Sequence, residues 1–233
     1  APWGVFIGRR RASESPYVQS VWEGVAPRRG MHVTAADGTI DLTLRKRRGV
    51  TQLLLSGPTS RARPTAFEAG DEVLTIRLRT GVHLPFVNGV RLTDVDSLLP
   101  VSGSHRFWLH GSSVAFPTFA TVETFAKHLA QEGLIGRDIV VEDVLSKRAR
   151  GTNVRTVQRH FLAATGLTMH RVRQIRRAEE ARSLLASGHT IASIAYDTGY
   201  SNPGHMTNAF KYFFGQSPSE MRALMRADYP QAS

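Results

Sequence analysis

Cysteine is absent from this chain of 233 residues, and acidic side chains are few relative to basic ones. Without cysteine the chain can form neither a disulfide scaffold nor a thiolate metal site. Its apolar runs fall well short of the roughly 18 residues that cross a bilayer, and its first residues do not resemble a signal peptide. We therefore expect a cytoplasmic protein that makes no contact with a membrane.

A large positive charge accompanies these absences. The 30 lysines and arginines outnumber the 19 aspartates and glutamates, which gives a formal net charge of +11. Such an excess favours a polyanionic partner, and nucleic acid is the first candidate. Because basic residues are in excess both before and after Asp138, charge alone does not locate the binding face. The length is sufficient for two domains.

Segments near the front of the chain alternate apolar and polar side chains. TIDLTL at 39–44 and EVLTIRL at 72–78 have the period of two that is typical of strands, and turn residues such as Asp37-Gly38 lie between such segments. The pattern predicts a mostly antiparallel β sheet or barrel in residues 1–116, with a role in sensing or dimerisation.

The periodicity becomes helical further along the chain. Apolar side chains share one face of a predicted helix that has Thr118 as its N-cap and ends at Glu132. This helix lies in a linker at 117–137 and serves either in dimerisation or as a packing helix of the front domain. Helical patterns interrupted by glycines then predict an all-α domain at 138–233, so the expected fold class is α+β.

The clearest motif is IASIAYDTGYSNPGHMTNAFKYFFG at 191–215. Its first residues form an apolar stripe on a short helix, and Gly199 permits a turn with a positive φ. Asn202 is a good N-cap, and Pro203 suits the first helical position because its missing N–H would be unpaired there anyway. The motif predicts a helix-turn-helix unit whose second helix spans 202–214.

A similar pattern occurs earlier, in NVRTVQRHFLAATG at 153–166. Asn153 would cap a helix over 153–164, with arginine, threonine and glutamine side chains facing outward. Arginine can pair with guanine and glutamine with adenine in the major groove. A helix predicted at 169–187 joins the two units and would span about 28 Å. Adjacent major-groove faces lie about 34 Å apart, so the shortfall favours bent DNA or incomplete insertion of one unit.

Together these motifs resemble the DNA-binding domain of the AraC/XylS family of transcription regulators. The resemblance covers residues 153–222. Its marks are R-x-x-Q-R-x-F from Arg155 to Phe161, A-x-x-L-L from Ala181 to Leu185, I-x-x-I-A-x-x-x-G-Y-S from Ile191 to Ser201, and Ser217-Pro218. It implies a regulator that binds specific duplex DNA through two recognition helices in consecutive major grooves, is not an enzyme and needs no cofactor. RNA polymerase is a further candidate partner, and the regulator would be a monomer or a homodimer.

The predicted DNA contacts lie on the outward faces of the two recognition helices. They are Asn153, Arg155, Thr156, Gln158, Arg159, Asn202, Pro203, Gly204, His205, Thr207, Asn208 and Lys211. Lys147, Arg148 and Ser201 are predicted to contact phosphates, which adds affinity without sequence information. Asn208 stands where the family commonly has arginine, and Gly204 has no side chain, so the second helix is expected to depend more on backbone contacts.

The front domain resembles an uncharacterised sensor-like domain of actinobacterial regulators. The shared marks are Trp22-Glu23, Asp37-Gly38-x-x-Asp41-Leu42, Gly57-Pro58 and the segment from Arg77 to Gly81. This resemblance does not identify a ligand. Trp22, His83, Phe86 and Trp108 are candidate residues for binding a small-molecule effector; as large aromatic or imidazole side chains, they could equally belong to the core.

Two other functions compete with the regulator. In the first, a barrel with His32, His83, Asp37 and Asp41 binds a metal or a ligand, or acts as an enzyme, and carries a DNA-binding appendage. The histidines lack the spacing of common metal motifs, and Asp37-Gly38 is also typical of a hairpin turn. In the second, the chain is a ligand-binding adaptor that contacts another protein through the helix at 118–132.

Overall fold

A computed structural model describes residues 6–103, 105–149, 151 and 153–227. Strands dominate the described residues up to Arg137, which we call the front part, and helices make up those from Ile139 onward, which we call the helical part. The strands are β1 (Ile7–Ala12), β2 (Val18–Val25), β3 (Gly30–Thr34), β4 (Asp41–Arg47), β5 (Val50–Ser56), β6 (Arg63–Phe67), β7 (Glu72–Leu78), β8 (Val82–His83), β9 (Asp96–Leu99), β10 (Val101–Ser102), β11 (Arg106–Leu109), β12 (Ser112–Ala115) and β13 (Gly136–Arg137). The helices are α1 (Gly89–Leu92), α2 (Val122–Gln131), α3 (Ile139–Leu145), α4 (Val154–Thr165), α5 (Met169–Ser183), α6 (Ile191–Asp197), α7 (Pro203–Phe214) and α8 (Pro218–Ala227).

The main sheet of the front part has six strands in the order β1-β2-β7-β4-β5-β9. All neighbouring strands in it are antiparallel, and β1 and β9 form its two edges. The predicted antiparallel sheet is therefore confirmed, but the sheet is open rather than closed into a barrel. Strands β3 and β6 form a separate antiparallel ladder.

Alternation along the strands separates the core from the opposite face of this sheet. In β7, Ile76 and Leu78 are fully buried, whereas Arg77 between them points to the other face, as the period of a strand requires. Helix α2 packs on the core side, with Phe125 and Leu129 among its buried residues.

Helix α2 is a packing helix of the front part, one of the two roles considered for it. It begins at Val122, four residues after the predicted N-cap. The backbone N–H of Thr118 instead donates to the Thr121 hydroxyl at 2.9 Å, which forms a turn before the helix.

A second hydrophobic cluster lies among α3 to α8. Helices are confirmed at the two places where recognition helices were predicted, 153–164 and 202–214: they are α4 and α7, each following its predicted asparagine cap. The helix predicted at 169–187 is divided, because α5 ends at Ser183 and a 3₁₀ turn at Leu184–Ala186 follows it. No helix within the described ranges is long and apolar enough to cross a membrane.

The front part contacts the helical part through backbone groups. The N–H of Ala36 donates to Phe213 O at 2.8 Å, and the N–H of Ala62 donates to Tyr212 O at 2.9 Å. Ala36 is completely buried and belongs to the hydrophobic cluster of the helical part. The C-terminal end of α7 is therefore fixed to the front part.

Candidate functional site

Helices α3 and α4 form the first helix-turn-helix unit. The Asp138 carboxylate accepts a hydrogen bond from Val141 N at 3.0 Å and lies 2.7 Å from His160 Nδ1, so it caps α3 and links it to α4. The Asn153 side chain caps α4 by accepting from Arg155 N at 2.8 Å. Because Val157 is buried, the polar side chains on either side of it point outward.

Helices α6 and α7 form the second unit. Gly199, at a φ of +77°, makes the turn after α6 in the left-handed region that glycine favours. Asn202 then caps α7 by accepting from His205 N at 2.8 Å, and Pro203 occupies the first helical position. Met206 and Phe210 are fully buried and hold the inner face of α7.

The side chains predicted to contact DNA lie at the surface. The exposed ones are Asn153, Arg155, Gln158, Arg159, Asn202, Gly204, His205, Asn208 and Lys211, and the half-buried ones are Thr156, Pro203 and Thr207. The Thr207 hydroxyl donates to Pro203 O at 2.9 Å, so its proton is already used within the helix. The caps likewise occupy the side-chain oxygens of Asn153 and Asn202, which gives both residues a structural role.

The arginines on the outward face of α4 have no acidic neighbour in the described part of the chain. Among the described residues, Arg155 and Arg159 have no carboxylate within 4 Å, whereas Arg148 is paired with Asp143 at 3.1 Å. Of the predicted phosphate contacts, Lys147 is exposed and has no carboxylate partner in the described chain. The Ser201 hydroxyl lies 3.1 Å from His205 Nδ1. The outward face of α4 thus presents cations that no described acid neutralises.

A cavity of about 210 Å³ lies between the main sheet, the β3–β6 ladder and α5. Aromatic rings line one end of it: the Phe6 centroid is 5.2 Å from that of Trp22 and 4.9 Å from that of Phe67. His32 lies beside these rings, and burial lowers the pKa of its imidazole, which favours the neutral form. Nδ1 of His32 is buried and has no hydrogen-bond partner among the described residues.

A buried ion cluster lines the other end of the cavity. Arg77 Nη2 lies 2.9 Å from Asp37 Oδ2 and 2.7 Å from Asp41 Oδ2, so two carboxylates share one guanidinium. Burial raises the pKa of Asp37 to about 7, against the opposing charge of Arg77. Helix α5 contributes Glu179 and Arg182, so both parts of the molecule line this cavity.

The four residues predicted to bind an effector are not brought together. Trp22 lines the cavity, but His83 lies in β8 beside Gly136, outside the cavity. Phe86 stacks on His110 with ring centroids 4.1 Å apart, and Trp108 is 44% exposed on β11. The sequence did not point to Phe6, Phe67 or Arg182 because they come from separate elements. Arg77 was detectable, as a charged residue between two apolar ones in a strand.

The residues of the rival metal site do not form one either. Asp37 and Asp41 both bind Arg77, and Asp37 also accepts hydrogen bonds from the backbone N–H of Thr39 and Thr59. Within the described residues, no group of three or more histidines and acids is placed to hold a metal ion. The chain does bend at Gly38, which has a φ of +67°. The expected hairpin turn at Asp37-Gly38 is wrong, however, because β3 pairs with β6 whereas β4 pairs with β5 and β7.

Comparison with known proteins locates a similarity in the C-terminal third. Residues 147–224 match the family model described as "Helix-turn-helix domain", which confirms the resemblance noted for this region. The chain is 38% identical over 76 residues to the HTH-type transcriptional regulator GlxA of Rhizobium meliloti, a stretch that is 32% of this chain and 24% of that protein. It is also 38% identical over 65 residues to the HTH-type transcriptional regulator RipA of Corynebacterium diphtheriae, covering 28% of this chain and 19% of that one. The chain thus covers about a quarter or less of each relative.

Solved structures give a weak likeness over a longer span. ToxT from Vibrio cholerae aligns with a TM-score of 0.39 and 14% identity, covering 94% of this chain and 98% of that one. Wild-type ToxT bound to an unsaturated fatty acid aligns with a TM-score of 0.36 and 13% identity, over 93% and 94% of the two chains.

Proposed function

Because residues 147–224 form a helix-turn-helix domain of the AraC type, we propose that the chain is a transcription regulator that binds specific sequences of duplex DNA. In this proposal α4 and α7 enter consecutive major grooves on one side of the duplex. Arg155, Gln158 and Arg159 of α4 contact base edges, and His205 and Asn208 do so on α7. The chain acts through binding rather than catalysis, in the cytoplasm with the chromosome.

One observation carries the proposal. Each helix-turn-helix unit ends in a twelve-residue helix with an asparagine cap, a buried apolar face and an exposed polar face. The exposed face of α4 carries two arginines without carboxylate partners in the described chain. Such side chains would be attracted to phosphates and can pair with guanine. A helix with only a structural role would not require arginines at these positions.

Selection from a random duplex library tests the proposal. The purified chain should enrich two short motifs with centres about one helical turn apart, and a selected duplex should bind at least about a thousandfold more tightly than a scrambled one. An Arg155→Ala/Arg159→Ala variant should lose the discrimination, whereas Arg28→Ala, an exposed arginine in the turn between β2 and β3, should retain it. No enrichment, together with no binding at low salt, would refute the proposal.

The front part is proposed to bind a small-molecule effector in the 210 Å³ cavity. The rings of Phe6, Trp22 and Phe67 suit an apolar, aromatic portion of the ligand, and the unpartnered Nδ1 of His32 suits a polar atom on it. Val33 and Ala35 line the cavity, and Ala36, which follows them directly, donates its N–H to Phe213 of α7. A ligand in the cavity would therefore affect the contact between the front part and α7.

A melting-temperature screen with small aromatic compounds tests the effector site. A compound that raises the Tm of the wild type should lose its effect on Thr43→Leu, which narrows the cavity. Thr51→Leu, on the neighbouring strand and outside the cavity, should respond as the wild type does. An equal response of both variants would locate the compound elsewhere, and the duplex affinity with and without it would then measure coupling to DNA binding.

A further inference from the structure

Helix α1 of the front part is docked against the C-terminal end of α4. A Cβ at Gly89 would lie 2.7 Å from Ala163 O and 2.6 Å from Gly166 N, so only glycine allows this approach of the two backbones. The Thr93 hydroxyl, which follows α1, lies 3.2 Å from Gly166 O. The position of α1 beside the recognition helix is therefore fixed by close backbone packing.

This packing makes α1 part of the surface that α4 presents. Asn88 and Val90 line a groove together with Arg155, Gln158 and Arg159, the predicted base contacts of α4. Val90 is 53% exposed, although its side chain is apolar. A molecule that covers the outward face of α4 would therefore meet α1 as well.

The charge on α1 has the sign that nucleic acid requires. Arg91 is exposed, and no described carboxylate lies within 4 Å of its guanidinium. The two acids that follow are already engaged: Asp94 accepts hydrogen bonds from Ser60 at 2.8 and 2.6 Å, and Asp96 pairs with Arg63 at 3.3 Å. Arg91 lines a second, neighbouring depression, which shares Asn88 and Val90 with the groove. The segment that forms one side of the groove thus carries a positive charge, unpaired within the described chain, just outside it.

We propose that α1 belongs to the DNA-binding surface and that Arg91 contacts a backbone phosphate beside the major groove into which α4 inserts. This inference rests on the proposed function and extends it, because it gives the front part a direct share in DNA affinity. A contact of this kind adds affinity for every duplex alike and weakens as salt rises.

Salt-dependent binding of the full chain to a selected duplex tests this role. Arg91→Ala should weaken binding by about three- to tenfold to selected and scrambled duplexes alike, and should make the negative slope of log K against log salt less steep by about 0.9. Val90→Lys, on the exposed side of the same helix, should tighten binding and make that slope steeper by a similar amount. Arg28→Ala, which removes the same charge from the turn between β2 and β3, should leave the slope unchanged.

A position of α1 that obstructs the duplex predicts different changes in affinity for these two variants. If α1 holds the duplex away from α4, Arg91→Ala would bind as the wild type does or more tightly, and Val90→Lys would not gain affinity; either result overturns the inference. A wild-type chain that binds no duplex at low salt would overturn the proposed function and this inference together. Binding by the wild type with an unaltered slope in Arg91→Ala would overturn the inference alone.

Discussion

Individual arginines in this molecule have two distinct uses, which their partners distinguish. Some hold the fold: the hydrogen bonds from Arg11 lower the pKa of Glu123 to about 2, and Arg47 lowers the pKa of the almost fully buried Asp71. Others, such as Arg159, have no carboxylate partner in the described chain and are available to an external anion. Removing the second kind should alter binding with little effect on stability.

A base contact and a phosphate contact should be separable at this scale. Arg159→Ala is expected to lose about 1–3 kcal/mol of binding free energy at one base position, because a bidentate contact to guanine depends on that base. The measurement is the affinity for a panel of duplexes in which each position of the selected site is substituted. Arg159→Ala should then no longer distinguish the bases at its own position.

Lys147→Ala is the matched comparison, since it removes one exposed cation from the turn between α3 and α4. It should weaken binding to all members of the panel equally and make the negative slope of log K against log salt less steep by about 0.9, as expected for a phosphate contact. If instead Arg159→Ala weakens all duplexes alike, its side chain contacts the backbone and the assignment to a base is incorrect.

At the level of elements, the sequence predicts those helices whose ends carry capping residues or glycines. Helices α4 and α7 agree with prediction to within a residue, because asparagine caps begin them and glycines with φ of +66° and +73° end them. The start of α2 was misplaced because Thr118 is a competent cap, yet its backbone joins a turn with Thr121. A capping residue identifies the end of a helix only when no other hydrogen-bond partner competes for it.

Long-range arrangement was not predictable in the same way. Alternation indicated strands such as β4 and β7, but nothing local specifies that these two are neighbours in the order β1-β2-β7-β4-β5-β9. The cavity was also beyond prediction, because its lining runs from Phe6 to Arg182 and exists only once the sheet, the β3–β6 ladder and α5 are assembled. The docking of α1 depends on Gly89, which is unremarkable in sequence.

In the whole molecule, the front part contacts the C-terminal ends of both recognition helices. Thr93 lies against Gly166 O after α4, and the backbone N–H groups of Ala36 and Ala62 bind the last carbonyls of α7. These carbonyls lack partners within their own helices, so the front part satisfies groups that would otherwise need water. If α4 and α7 enter successive grooves as proposed, a change in the front part that shifts either contact would alter their relative position and so their fit to the duplex.

The ion cluster at this junction should make stability depend on pH. Asp37 is buried, shares Arg77 with Asp41, and has Glu179 of α5 lining the same cavity. Because burial raises its pKa to about 7 from the ordinary 3.8, the folded chain keeps a proton that the unfolded chain has released above about pH 4. The free energy of unfolding should consequently fall as pH rises from about 4 to about 7, by at most about 1.4 kcal/mol per pH unit from this group, and then level off.

Asp37→Asn removes the titrating group with little change in size, so the pH-dependent loss should disappear from the variant. Urea unfolding of the wild type and the variant at about pH 5.5, 6.5 and 8 measures the effect, with Asp197→Asn as a control for the loss of an exposed carboxylate. The stability of the wild type relative to Asp37→Asn should decrease across this range. A difference that is constant, or that grows in favour of the wild type as pH rises, would mean that Arg77 keeps Asp37 ionised and that burial does not dominate at this junction.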